Sequence, residues 1–350
     1  MRGARGLALL VGAVGLGLLL AGCSEVRYLA QAAGGQLDLL RRARPVAEVL
    51  ADPTTDAGVR RKLQLASDVR AFALHDLGLP DHGSFQKYVD VGRPAVVWNV
   101  FSAAPDSIQL QTSCFPIAGC VGYRGYFHEA DARAYADQRR AAGDDVSVGG
   151  VSAYSTLGYL NDPVLSTMLA ASDATVIRTV IHELAHPALY VKDDTVFNES
   201  FATAVEEAGM RRWLAAHGTP GLREADRLAQ HRAGGFEALL LQTRGELEAL
   251  YARSLPAPEV QTRKAAILAD LNTRYVALKD SWGGYSGYDG WFARGANNAS
   301  LGAVAAYATL VPEFLALLDR HGGNIPAFVE AARACAAQSA AQRASCLRGE

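Results

Sequence analysis

The 350-residue chain carries 34 Lys and Arg against 36 Asp and Glu, a formal net charge of −2, and half of its residues are hydrophobic. That balance excludes a polycationic nucleic-acid binder, and nothing in it suggests a nucleic-acid partner. No internal repeat or low-complexity linker interrupts the chain, which points to one compact unit with lobes rather than a string of domains.

The chain opens with Arg2 and Arg5, continues as an apolar run from Leu7 to Leu20, and reaches Leu20-Ala21-Gly22-Cys23. Basic, apolar and small residues in that order read as a signal peptide. The run is short and glycine-rich for a membrane span, which needs roughly 20 apolar residues. Its ending resembles a bacterial lipobox, which implies cleavage before Cys23, lipid attached to its sulfur, and a soluble body hanging from a membrane. Residues 1–22 are then the signal peptide and 23–350 a single mature domain. Losing Arg2 and Arg5 leaves 32 basic against 36 acidic residues, or −4. Ser24 follows the cysteine; by resemblance to enteric lipoprotein sorting it implies the outer membrane, with the body in the periplasm of the bacterial cell envelope. Arg41-Arg42-Ala43-Arg44 reads as a solvated helix face near the tether rather than a headgroup-binding site.

Beyond the tether, residues 36–80 read as helices broken at Pro45 and Pro53, within a helical region of 30–80. Residues 95–155 are strand-rich, with short strands at 95–101 and 107–110, a helix over 129–142 and a strand at 145–148. Two helices over 174–217 follow, and 222–340 forms a helical lobe interrupted at 283–290. The order predicts a mainly helical α+β fold: a small mixed sheet packed on the helix around residue 180, flanked by helical lobes. The segment 146–155 is the candidate strand at the border of a cleft, either an edge that pairs with extended peptide or an ordinary internal strand. Cys114, Cys120, Cys335 and Cys346 form an even set suited to an oxidising compartment. Of three connectivities, the local one, 114 with 120 and 335 with 346, is expected because each bond closes a short loop.

The most informative stretch is His182-Glu183-Leu184-Ala185-His186. Val176, Ile177, Val180, Ile181, Leu184 and Ala185 recur at helical spacing, with Ser172 and Asp173 as plausible caps upstream. On a helix the two histidines sit one turn apart and point the same way, so their imidazoles can grip one metal ion. Glu183 lies about 100° round the helix, beside the position of a water on that ion. A carboxylate from a second helix, the segment 198–217, closes a His₂Glu set with an open fourth position, the ligand set of a catalytic zinc. Glu199 and Glu206 share one face of that helix. Pro187 follows His186 and disfavours α geometry there, so the helix is expected to end or kink at His186.

The residues Asn198-Glu199-Ser200-Phe201-Ala202 with Glu206 resemble the gluzincins, the thermolysin-like and aminopeptidase-N-type zincins. In the aminopeptidase branch the third ligand lies in Asn-Glu-Gly-Phe-Ala, with another glutamate seven residues on. The match puts Glu199 on the ligand and Glu206 on an outer carboxylate that orients a ligand histidine. Ser200 departs from that glycine, and only twelve residues separate His186 from Glu199. Thermolysin-like spacing instead selects Glu206 as the ligand; the motif favours Glu199.

Trp98-Asn99-Val100, Cys114 to Cys120, Tyr123-Arg124-Gly125-Tyr126-Phe127, Ala153 to Gly158, Asp162-Pro163, the metal motif and Asn297-Asn298-Ala299 are together similar to a bacterial family of zinc aminopeptidases, lipoproteins named from their metal motif. The resemblance implies a zincin-like core, one Zn²⁺ ion held by His182, His186 and Glu199, Glu183 as general base, and a peptide substrate. Gluzincins often add a tyrosine or histidine that stabilises the oxyanion; Tyr285, Tyr288, Tyr307 and His231 are candidates. Asn297-Asn298 either contacts peptide or caps the next helix, and the cap is expected. The rival expectation is a non-enzymatic envelope lipoprotein with a closed, four-ligand structural metal site.

Overall fold

The computed structural model of the protein describes residues 25–115, 119–153, 155–156 and 160–350, without the side chains of residues 305–308. The expected signal peptide and Cys23 lie outside the described residues, as do Tyr154 and residues 157–159.

Helix α1 occupies residues 25–42. It leads into strand β1 (Arg44–Pro45), helix α2 (Val46–Ala51) and helix α3 (Ala57–His75). Pro45 and the turn at 52–56 separate these helices, and Asp56 caps α3 by accepting from the N–H groups of Gly58 and Val59. Then come β2 (Lys87–Val89), β3 (Val97–Ala103), the hairpin β4 (Ser113–Phe115) and β5 (Gly119–Val121), β6 (Arg124–Tyr126), helix α4 (Glu129–Ala141) and β7 (Asp145–Val151). The expected strand at 107–110 is not one: Ser107 N–H turns back to the Ala104 carbonyl, and only an isolated Ala103–Leu110 bridge forms.

Strands β6, β3 and β7 form an antiparallel sheet in that order, with Trp98 opposite Gly150 and Tyr126. One face packs Trp98, Val100, Tyr126 and Val146 against Ala132 and Ala136 of α4. The other face, carrying Val97 and Asn99, lines a cavity. A second sheet, β1-β2-β8 with β8 (Val164–Leu165), mixes antiparallel and parallel pairing.

Helix α5 (Ser166–Leu169) precedes α6 (Asp173–Ala185), whose N-cap Ser172 accepts from Thr175 N–H. Val176, Ile177, Val180, Ile181 and Leu184 turn inward against α3 and α7 (Thr195–His217). Each such aliphatic side chain contributes about 1.5–3 kcal/mol when fully buried. Gly209 of α7 lets the two helices approach closely, since a Cβ there would stand 2.9 Å from Ile181 Cγ2.

His186 keeps right-handed helical dihedrals, φ −53° and ψ −44°, despite the following proline. The chain absorbs Pro187 by tightening into a 3-10 turn over His186–Ala188, where proline near the start of a turn loses no required N–H. The expected shift of His186 out of α geometry therefore does not occur; the α-helix ends one residue earlier, at Ala185.

The rest is helical: α8 (Pro220–Tyr251), α9 (Ala257–Ser281), α10 (Asp289–Ala293), α11 (Asn298–Ala308), α12 (Val311–Arg320), α13 (Ile325–Ala336) and α14 (Ala340–Arg348). Gly283 and Gly284, both at positive φ, make the break expected at 283–290. The architecture is α+β and mainly helical. Disulfides join Cys114 to Cys120 across the β4–β5 hairpin and Cys335 to Cys346 between α13 and α14, the local pairing.

Candidate metal centre

Helix α6 turns His182 and His186 to the same side, with ring centroids 4.9 Å apart and edge-to-face. Helix α7 brings Glu199 to both: Glu199 Oε2 lies 3.3 Å from His182 Nε2 and 3.7 Å from His186 Nε2. One donor atom from each of the three lies within 4.8 Å of the others. Tetrahedral ligands at roughly 2.0–2.1 Å from an ion sit about 3.3 Å apart, so the set fits a small divalent cation with little movement.

Glu206, two turns further along α7, does not join that set. Its Oε2 lies 3.1 Å from His182 Nδ1 and its Oε1 accepts from Arg178 Nη1 at 3.1 Å. Arg178 is in turn held by both oxygens of buried Asp226 on α8, at 2.8 and 3.2 Å. This chain fixes the orientation of the His182 ring from behind. His186 has no matching support: its Nδ1 is buried without a hydrogen-bond partner among the described residues. Among the described residues the donors facing inward number three, whereas a closed structural site needs four.

Burial would push the His182 pKa down, but hydrogen bonds to Glu199 and Glu206 and the nearby carboxylate charges outweigh it and raise it to about 10. Burial lowers His186 to about 4. Burial also raises Glu183, with help from the Glu199 charge, to about 7. Glu199 and Glu206 resist burial and stay below the ordinary carboxylate range because His182 bonds to both.

The loop after the histidines is pinned. Asn198 accepts from Val191 N–H at 2.7 Å and donates to the Val191 carbonyl at 2.8 Å, fully buried one residue before Glu199. Ser200, where the gluzincin motif has glycine, accepts from Leu310 N–H at 3.2 Å and so ties α7 to the start of α12. Asp193 takes a left-handed φ of 65° and accepts from Cys120 N–H, linking this loop to the disulfide hairpin.

Two hollows meet at His182 and Glu183. One, about 330 Å³, is walled by Tyr28 of α1, Val97 and Asn99 of β3, Phe115, Tyr123 and Phe127, with Tyr190, His186 and Glu199 at its base. The other, about 570 Å³, is more polar and runs between Gly150–Ala153 and Arg178, Gln230, Arg232, Tyr285 and Tyr288. Strand β7 is an edge on this side: among the described strands it pairs only with β3.

Of the expected oxyanion donors, Tyr285 and Tyr288 border the polar hollow, His231 is exposed and lines neither hollow, and the Tyr307 side chain lies outside the described residues. Sequence reasoning missed Tyr123 and Tyr190. Burial, then the Glu199 charge and Tyr190, raises the Tyr123 pKa, which keeps it a hydroxyl donor. Its signal was its place in the Tyr123-Arg124-Gly125 segment. Arg178 was missed too, though it stands one helical turn before His182. Asn297 is a cap: it forms a capping box with Ser300, while Asn298 bonds to Tyr251 and the Ala104 carbonyl.

A family model described as "Putative aminopeptidase" matches residues 27–347 of the chain. No curated protein and no solved structure matches it.

Proposed function

Because the chain belongs to the family described as "Putative aminopeptidase", a peptidase family, we propose that it is a zinc-dependent peptidase of the gluzincin kind. His182, His186 and Glu199 hold one Zn²⁺ and Glu183 is the general base. The observation that carries this reading is the approach of those three donor sets to within 4.8 Å, beside a hollow that Glu183 also lines.

A bound zinc would supply Lewis acidity, lowering the pKa of a water and polarising a carbonyl. The chain's own residues do the rest. A Glu183 carboxylate oxygen takes a proton from the attacking water as its oxygen bonds to the scissile carbonyl carbon. Glu183 then returns that proton to the leaving nitrogen as the carbon–nitrogen bond breaks. A carboxyl held near pH 7 suits both halves of this transfer. Tyr123, Tyr190, Tyr285 and Tyr288 are the hydroxyls available to the carbonyl oxygen. The edge of β7 between Val146 and Ser152, whose own carbonyls accept from Asn297 and Thr167, offers backbone groups to an extended peptide.

The lipobox and the two disulfides support a place in the cell envelope, tethered by lipid at Cys23, on the outer membrane facing the periplasm. The rival reading, a closed structural metal site in a binding module, would need Glu206 as fourth ligand, and that carboxylate is engaged by His182 Nδ1 and Arg178.

Elemental analysis of the purified full chain, paired with a peptide library, tests the proposal. One zinc per chain and cleavage that stops with chelator and returns with zinc are expected. Cleavage unaffected by complete metal removal would reject it.

A further inference from the structure

Helix α1 has two faces. The inner one is fixed: Tyr28 and Ala32 wall the apolar hollow, and Gly35 lies flat against the Phe127 ring. Buried Arg124 locks it in place, pairing with both oxygens of Glu25 at 2.8 and 3.1 Å and lying 3.9 Å over the Tyr28 ring. Gln31 adds bonds to the Gly125 carbonyl and Phe127 N–H. The helix therefore cannot roll to hide its other side.

That other side is apolar and uncovered. Val26 is 67% exposed, Leu29 47% and Leu37 45%, half of the six large apolar side chains that stand exposed among the described residues. With exposed Ala33 they follow steps of three and four residues, one stripe along the helix. The next step on the stripe is exposed Arg41, which has no carboxylate partner among the described residues, and exposed Arg27, which reaches Asp131 of α4 at 3.7 Å, borders it. Both acidic residues of α1 are already neutralised, Glu25 by Arg124 and Asp38 by Arg42. The outer surface thus pairs an apolar stripe with one uncompensated positive charge, Arg41, the make-up of a helix lying in an anionic lipid interface. The chain before it says which surface is at hand: only Ser24 and Glu25 separate the candidate lipidation site, Cys23, from Val26.

We propose that the outer face of α1 lies on the lipid bilayer that holds the chain, with Val26, Leu29 and Leu37 in the acyl boundary and Arg41 among anionic headgroups. This goes beyond the peptidase reading and shares with it only the Cys23 anchor. Since the inner face of the same helix walls the apolar hollow, the hollow stands one helix diameter, roughly 10 Å, behind the bilayer surface.

The test uses the full-length lipoprotein in vesicles of phosphatidylethanolamine and phosphatidylglycerol brominated high on the acyl chains. Leu29→Trp and, as a second probe of the stripe, Leu37→Trp are compared with Val276→Trp, an equally exposed apolar site on α9. After subtracting the native tryptophans, the expected result is quenching of the two α1 probes by about twofold or more, with the α9 probe unchanged. Absence of quenching on chains that co-float with the vesicles overturns the proposal and leaves the peptidase reading intact. Failure to float removes the anchor and the proposal together. Shielding of the α1 probes that grows with protein-to-lipid ratio and ignores bromine would assign the stripe to a second copy, and also overturns it.

Discussion

Glu206 Oε2 lies 3.1 Å from His182 Nδ1, the ring nitrogen turned away from Glu199. One imidazole is thus gripped on both edges by carboxylates of a single helix, one on the ligand side and one behind. Removing them should have unequal effects. Glu206→Ala should weaken metal affinity about 10–100-fold by freeing the ring, while Glu199→Ala, which deletes a donor, should weaken it further. Chelator competition on the two variants measures this without reference to activity, and the reverse order would make Glu206 the ligand.

Glu183→Gln should keep the metal and lose hydrolysis by at least about a hundredfold, the low end for a general base. Turnover retained in a variant shown to hold metal would remove Glu183 from the reaction.

Metal uptake should release a proton. His182 in the metal-free protein titrates near 10, above its ordinary 6.5. The raised value means that its protonated form stabilises the metal-free fold fully below about 6.5, and that this stability fades as pH rises through 10. The same proton competes with a cation for Nε2, so apparent affinity should fall about tenfold per pH unit as pH drops from about 9 to 8. Calorimetry in buffers of different ionisation heat, at about pH 8, should find close to one proton released per ion. A value near zero would mean a neutral His182 before binding.

Why these residues meet was partly legible and partly not. His182 and His186 are one turn apart in the sequence, and helical spacing of Val176, Ile177, Val180, Ile181 and Leu184 leaves only one side for them, so their pairing needs no tertiary information. Glu199 and Glu206 share a face of α7 for the same reason. The chain length between the helices does not say how α7 is rotated against α6; the Asn198–Val191 clamp and the close approach at Gly209 decide that, and neither has a local signature. Asp226 reaches Arg178 from another helix and carries no sequence signal at all. The hollow between the sheet and α6 was equally hidden, because a short strand at 95–101 gives no sign of what lies opposite Val97 and Asn99. The strand expected at 107–110 failed since a turn at 104–107 takes the Ser107 N–H and the Ser107 hydroxyl takes the Gln109 N–H, which leaves only the bridge at Leu110.

Asn198→Ala should lower thermal stability and metal retention together. Its buried amide is the partner of the Val191 N–H and one of two donors to the Val191 carbonyl, which also accepts from Asp194 N–H; the N–H left unpaired costs about 1–3 kcal/mol. Differential scanning calorimetry of the metal-free variant isolates the folding part; an unchanged melting temperature would show that solvent replaces the clamp.

Opening the Cys114–Cys120 bond with paired serines should cost about 2 kcal/mol from its short loop. It should also raise KM more than it lowers kcat, since Phe115 and Val121 of that hairpin wall the apolar hollow. Equal losses in both constants would argue against a substrate-facing role for the hairpin.

Because α7 alone carries both carboxylates around His182, seven positions apart, any axial slide or twist of that rod displaces the two together. The seat of that one helix therefore governs both contacts at once, on top of what each carboxylate contributes by itself.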